Sequence, residues 1–348
     1  MRIEPNTKSA ILYHGGFLGP YGKTGNALLR YADFDFVAVI DSERAGQSIE
    51  ALSGIPCKAP IVATVEEALA YGPEVLFIGI APPGGTLPEP WRADIVSALK
   101  GGMSLVNGLH GSMAEDPEFA AALQPNRFIW DCRLPEKIST NGSGAARTLD
   151  CFRVLTVGAD MAAGKMTTSL LVHRALVGEG ISSRFLATGQ TGIMICGEGF
   201  PLDAYRVDFA SGAVETYVRR MADCRVLNIE GQGSLFNPAS TATLPLLRGA
   251  QPQAMIYCTR AFQTHCRRYD HVPIPPLPEA IRICEEVASA GGSFEPGKVL
   301  GIAINTFGLD EQEARRAIDE AESSTGLCAT DPVRFGVRGI VEAIKAQL

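Results

Sequence analysis

The feature that most restricts this chain is where its apolar runs stop. Ala10-Ile11-Leu12-Tyr13 is followed by His14-Gly15-Gly16, Val75-Leu76-Phe77-Ile78 by Gly79, Phe152-Arg153-Val154-Leu155-Thr156-Val157 by Gly158, and Leu227-Asn228-Ile229 by Glu230-Gly231. The runs are continuous rather than alternating, as expected of strands in a parallel sheet covered on both faces. Parallel neighbours need a crossover, and stretches of helical pattern lie between the runs, so the repeating unit is strand, helix, strand. The 37 glycines exceed an average share and gather at the strand ends.

This beat occurs twice. The first passage has strands at Ala10–Tyr13, Phe36–Ile40, Ile61–Val62, Val75–Ile80, Ser104–Val106 and Arg127–Trp130. A Thr-x-x-Glu capping box opens its helix over 64–71, and others span Trp91–Lys100 and Pro117–Leu123. Leu134–Arg147, with Pro135, Asn141, Gly142, Ser143 and Gly144, reads as a linker. The second passage starts at Phe152, with a helix over Lys165–Val177 and further strands at Arg184–Ala187, Arg225–Ile229, Ala254–Cys258 and Val299–Ile304. A length of 348 residues suits two such domains. The expected fold class is α/β with two doubly wound domains, a Rossmann-like one over 1–148 and a P-loop NTPase-like one over 149–348.

Charge and cysteine usage narrow the partners. A net charge of -7 opposes binding to nucleic acid or anionic lipid. The nine cysteines include no Cys-x-x-Cys pair and sit mostly in apolar stretches, which fits free thiols in a cytoplasmic protein and no metal site. No run of 18 apolar residues is present, and the N-terminal apolar run is too short for a secretory signal, so no membrane partner is expected. Small-molecule substrates and a homo-oligomer, dimer or higher, are the expected partners.

The sharpest motif is Gly158-Ala159-Asp160-Met161-Ala162-Ala163-Gly164-Lys165-Met166-Thr167-Thr168, between a predicted strand and a predicted helix. Five residues rather than four separate Gly158 from Gly164, so it is a longer variant of the G-x-x-x-x-G-K phosphate loop. Such a turn aims backbone N–H groups and a helix N-terminus at phosphate oxygens, and Lys165 adds a positive charge. Gly158, Ala163, Gly164, Lys165, Met166, Thr167 and Thr168 are the candidate phosphate-binding residues. Met166 stands where a nucleotide triphosphatase carries its magnesium-ligating hydroxyl, so a phosphate-bearing carrier such as coenzyme A suits the loop better than magnesium-dependent hydrolysis.

Glu230 ends a strand at the same edge, ahead of Gly231-Gln232-Gly233-Ser234. It could act as a general base, a metal ligand or an anchor for an ammonium group. Thr188-Gly189-Gln190-Thr191-Gly192 also follows a strand and suits a polar ligand. Arg260, His265, Arg267, Arg268 and His271 form a basic cluster that could bind carboxylates or a remote phosphate. In the first domain Gly15–Gly22 only approximates a dinucleotide fingerprint, although Asp41 stands where a ribose-binding acid would be. His110 could line the same edge.

These runs, with Lys23-Thr24-Gly25 and Asn107-Gly108-Leu109-His110, resemble a two-domain family long catalogued as a domain of unknown function. Its members are often labelled NAD-dependent epimerase/dehydratase, and its characterised activity is D-glutamate N-acetyltransferase. The resemblance implies acetyl transfer from acetyl-CoA, as co-substrate, to the amino group of D-glutamate in D-amino acid catabolism. It implies Glu230 as base or amine anchor with Asp160 as its rival, the loop and Lys165 on coenzyme A phosphate, and Gln190, Thr191, Gln232, Ser234 and Arg260 toward substrate. The alternative is a P-loop ATP-dependent ligase or kinase resembling dethiobiotin synthetase, in which Thr167 replaces the hydroxyl missing at 166.

Overall fold

The computed structural model describes residues 3–348, so Met1 and Arg2 of the N-terminal stretch lie outside it. By its contacts the chain divides into two units. One holds the residues up to Glu136 together with Gly189–Ala204, and the other holds Lys137–Thr188 with Tyr205–Leu348. The division falls at 136/137, ahead of the 148 suggested by sequence pattern. Among the described residues no helix is long and apolar enough to cross a membrane.

The first unit alternates β1 (Lys8–Leu12), α1 (Lys23–Tyr31), β2 (Asp35–Ile40), α2 (Ile49–Ser53), β3 (Ile61–Val62), α3 (Val65–Leu69), β4 (Val75–Ile78), α4 (Arg92–Lys100), β5 (Ser104–Asn107), α5 (Pro117–Ala122) and β6 (Ile129–Asp131). The strands form one parallel sheet in the order β3-β2-β1-β4-β5-β6. Both faces of β4 and β5 are buried, which is why their sequences do not alternate. Thr64 caps α3 by accepting from the Glu67 amide at 3.2 Å, while the Glu67 carboxylate takes the Ala63 amide at 2.9 Å. The capping pair is therefore shifted by one residue at its return arm.

Asp41 is buried after β2 and accepts from the amides of Gly15 at 2.8 Å, Phe17 at 3.2 Å and Glu43 at 3.1 Å. The acid that sequence places at a ribose position is thus committed to the turn after β1. That turn closes on itself: a Cβ on Gly22 would lie 2.2 Å from the Gly16 carbonyl.

The chain continues through β7 (Phe152–Gly158), α6 (Lys165–Gly178), β8 (Ser183–Leu186), α7 (Gln190–Cys196), α8 (Val207–Arg220), β9 (Val226–Ile229), α9 (Thr243–Ala250) and β10 (Ala254–Arg260). A hairpin of β11 (His265–Cys266) and β12 (Tyr269–Pro273) follows, then α10 (Leu277–Ser289), β13 (Lys298–Asn305), α11 (Glu311–Thr325), β14 (Cys328–Thr330) and α12 (Arg338–Lys345). The second unit's sheet is parallel in the order β14-β13-β10-β7-β9-β8. On one of its faces Val172, Leu176, Ile340, Val341 and Ile344 pack over Val154, Val226, Ile256 and Ala303.

Two buried charges hold this unit's base. Arg153, fully buried on β7, donates to the carbonyls of Leu149, Cys151, Ala250 and Gln251, so it satisfies the end of α9 where the helix leaves its last carbonyls unpaired. Glu215 of α8 accepts from the Ser143 amide at 3.1 Å, the Ser143 hydroxyl at 2.6 Å and the Ala145 amide at 3.0 Å. The segment read as a linker is therefore pinned to α8. Gly212 lets it approach, since a Cβ there would lie 1.8 Å from the Thr140 carbonyl oxygen.

Gly212→Ala should force this segment off α8 and cost about 1–3 kcal/mol of stability, the usual range for overpacking. Urea unfolding checks it; an unchanged midpoint would show that the contact bears no energy.

Candidate active site

β7 sits between β10 and β9, and the chain leaves its carboxyl end into Ala159–Gly164 before α6 begins. Gly158 is required by packing rather than by a ligand, because a Cβ there would meet the Cys258 carbonyl oxygen at 2.3 Å. Gly164 has φ 106°, a left-handed conformation that lets the loop turn into α6. No side chain caps α6, and its first intrahelical bond runs from the Thr168 amide to the Gly164 carbonyl at 2.9 Å. The amides of Lys165, Met166 and Thr167 therefore face outward at the positive end of a 14-residue helix. An anion fits such an end directly.

Lys165 is buried, and its Nζ donates to the Asp160 carbonyl oxygen at 2.7 Å, so the side chain folds back across the loop. Burial pushes its pKa down from the ordinary lysine value, and the carboxylates of Asp160 and Glu230 oppose that shift. The same burial raises the Cys258 thiol to about 11, which keeps it protonated near neutral pH.

Asp160 organises the loop. Its Oδ1 accepts from the Met161 amide at 2.7 Å and Asn237 Nδ2 at 2.6 Å; its Oδ2 accepts from Gln263 Nε2 at 2.9 Å and the Arg267 amide at 2.7 Å. Burial pushes its carboxyl up, but these donors together outweigh it and hold the pKa below the ordinary aspartate value. A carboxylate so engaged is a poor proton acceptor and a strong clamp.

Glu230 follows β9. Its Oε2 accepts from the Thr188 amide at 2.9 Å, and the Thr188 hydroxyl donates to the Glu230 carbonyl at 2.9 Å. The Gly231 amide donates to Thr156 Oγ1 at 2.8 Å. A Cβ on Gly231 would lie 1.6 Å from the Thr156 carbonyl oxygen and 3.1 Å from Lys165 Cδ, so glycine is what lets the Glu230 backbone close on β7 and the lysine stem. Gln232 Nε2 donates to the Thr188 carbonyl, and Ser234 Oγ to the Ala159 carbonyl at 2.8 Å. These bonds make the β9 loop a wall of the phosphate loop.

The structure thus brings together Asp160, the loop, Lys165, Glu230, Gln232 and Ser234. Arg260 Nη2 joins them by donating to the Ala162 carbonyl at 2.8 Å. Ala163 is buried in the core, and Thr168 is turned inward with its hydroxyl bonded to the Cys258 thiol. Gln190 and Thr191 begin α7 and belong to the first unit, where Thr191 Oγ1 lies 3.1 Å from Thr24 Oγ1. The basic cluster disperses: Arg267 contributes its backbone amide, and His265 and His271 are exposed on the hairpin. Sequence reasoning missed Thr156, Asn237 and Gln263, each an uncharged residue whose role depends on a partner distant in the chain.

Comparison with known proteins divides the chain near the same point, although the second family model also spans Gly189–Ala204, which the contacts group with the first unit. Family models described as "Domain of unknown function (DUF1611_N) Rossmann-like domain" and "Domain of unknown function (DUF1611_C) P-loop domain" match residues 42–135 and 140–341. A protein from Tritonibacter scottomollicae named D-glutamate N-acetyltransferase is 38% identical over 81% of this chain and 84% of its own. One of the same name from Pseudoalteromonas is 34% identical over 79% of this chain and 82% of its own. The crystal structure of a DUF1611 family protein from Anabaena variabilis has a TM-score of 0.94 at 54% identity, covering 98% of this chain and 100% of that one.

Asp160→Asn should cost roughly 2–4 kcal/mol, because it sets a donor against buried N–H groups and removes a charge they solvate. The Asp160 pKa is lower folded than unfolded. Its contribution is therefore present above the unfolded value and lost as pH falls through the folded one. Denaturation curves of wild type and variant should diverge at neutral pH and draw together in acid; a pH-independent gap would contradict this.

Proposed function

Because the chain belongs to the DUF1611 family, we propose that it is an N-acetyltransferase moving the acetyl group of acetyl-CoA to the amino group of D-glutamate. One observation carries the reading: an uncapped helix N-terminus backed by a buried lysine lies beside a strand-end carboxylate. The helix end and Lys165 suit the phosphates of coenzyme A, and Glu230 suits the amine.

In the proposed step the neutral amine attacks the thioester carbonyl carbon, forming the C–N bond. Glu230 takes the proton that the nitrogen sheds. Collapse of the tetrahedral intermediate breaks the C–S bond, and the departing thiolate of coenzyme A takes up the proton that Glu230 received, which restores the carboxylate. Burial holds the Cys258 thiol at about 11, protonated and a weak nucleophile near neutral pH, so the proposed step puts no acyl group on that thiol. Asp160 acts as a positioning residue through its clamp on the loop. The reaction consumes D-glutamate in D-amino acid catabolism within the cytoplasm, in keeping with the nine free cysteines.

Lys165→Ala should weaken coenzyme A binding about 10- to 100-fold by calorimetry, the loss of one charge-assisted contact. Wild-type affinity should fall as pH rises through the lowered Lys165 pKa, since the ammonium is the binding form, and Lys165→Ala should lose that dependence. An unchanged affinity would refute the phosphate assignment. Glu230→Gln should reduce acetyl transfer to D-glutamate roughly 100-fold or more while leaving coenzyme A binding intact. Full turnover across pH would remove Glu230 as the base.

A further inference from the structure

A cavity of 390 Å³ lies in the second unit at the carboxyl ends of β10 and β13, walled by α11 and by the turn into α10. That volume is in the range of sites for small organic molecules, about 300–1,000 Å³. It adjoins the phosphate loop: Ala159 lines it, and Arg260, which also lines it, donates to the Ala162 carbonyl at 2.8 Å. The sheet order β13-β10-β7-β9-β8 fixes its side. Cavity and Glu230 stand on opposite sides of β7, because Glu230 follows β9 and its carboxylate is bonded to the Thr188 amide after β8.

Phe262 is the lining residue that packing alone does not explain. Its φ is 56°, in the left-handed region that a bulky side chain adopts only under constraint, and it is 46% exposed. The Arg316 guanidinium of α11 lies 4.8 Å from the ring centroid and pairs with Glu320 at 3.6 Å, so the ring is braced from one side. Ile274, Pro275 and Leu277 extend the apolar wall. An aromatic ring held open against such a wall is a platform on which a flat heterocycle can stack.

We propose that this cavity receives the adenosine end of the acyl donor, with the base stacked on Phe262. The inference rests on the reading of acetyl-CoA as donor and adds which way that molecule runs across the sheet. Coenzyme A leaves its diphosphate in two directions, toward adenosine at one end and toward the thioester-bearing arm at the other. With the diphosphate at the first turn of α6, beyond the end of β7, the thioester has to lie on the β9 side to reach an amine beside Glu230. The β10 side is left to adenosine, whose uncharged base suits an apolar wall. Free glutamate there would set two carboxylates against that wall, away from its base.

The test compares coenzyme A with 3′-phospho-ADP, which is coenzyme A without the arm, on the full chain by calorimetry. Phe262→Ala should weaken both ligands by the same factor, about 10-fold or more, whereas Phe262→Trp, which keeps a stacking ring, should stay within about 3-fold of wild type. In acetyl transfer the Phe262→Ala loss should fall on KM for acetyl-CoA with kcat preserved, because the base is remote from the bond being made. Ser324→Trp, on the exposed edge of the cavity, should weaken both ligands likewise and serves should Phe262→Ala fail to fold. Wild-type affinities in a folded Phe262→Ala variant overturn this inference and leave the donor reading standing. So does a loss confined to coenzyme A, which would put the arm in the cavity, or a fall in kcat at constant KM. Failure of wild type to bind coenzyme A at all overturns both.

Discussion

The site depends on one carboxylate. Asp160 receives N–H groups from its own loop, from Asn237 after β9, and from Gln263 and Arg267 after β10. These segments are distant in sequence and meet at this carboxylate because β9, β7 and β10 are neighbours in the sheet. Charge-assisted hydrogen bonds are about twice as strong as neutral ones, and here they act in a buried setting. The loop geometry that leaves the first turn of α6 open therefore does not rest on the loop's own sequence. It is held from both sides.

Close approach sets the remaining geometry. The Gly231 and Gly158 positions bring backbone against backbone at the carboxyl edge, with no room for a side chain at either. Arg153 and Glu215 solve the opposite problem at the base of the unit, where a helix end and an irregular segment carry polar backbone groups into the interior. Burying those charges is costly, and several hydrogen bonds to each offset the cost. Rigid packing at the base and edge leaves the amides of Lys165, Met166 and Thr167 turned outward at the start of α6.

The strands, their parallel pairing and the run from Gly158 to Lys165 were legible because burial on both faces and a strand-to-helix turn leave strong local signals. β14 and the β11–β12 hairpin were not: the first has three residues, and the second carries Asp270 and His271 on exposed strands. Gln190 and Thr191 follow a strand in sequence and suit a polar ligand, but the seven-residue helix they begin is not legible, since it opens on glycine and lacks a capping signature. Lys165 and Glu230 could be picked out as strand-end and loop residues. The function of Asp160 as a clamp could not, because its donors lie up to 107 positions away.

The two units use the same device with opposite outcomes. Asp41 gathers the amides of Gly15, Phe17 and Glu43 just as Asp160 gathers its own donors, so each glycine turn is held by a buried carboxylate. In the first unit the adjoining helix is not open: the Gly25 amide, in the first turn of α1, donates to the Gly79 carbonyl at 2.9 Å. Gly79 follows β4, so the sheet itself takes up a donor that an anion would need. At α6 the corresponding amide is Thr167, and a lysine rather than a carbonyl stands behind the turn. A glycine turn and a helix are common to both units; what separates them is that the sheet takes up the Gly25 amide of α1, whereas the first amides of α6 stay turned outward.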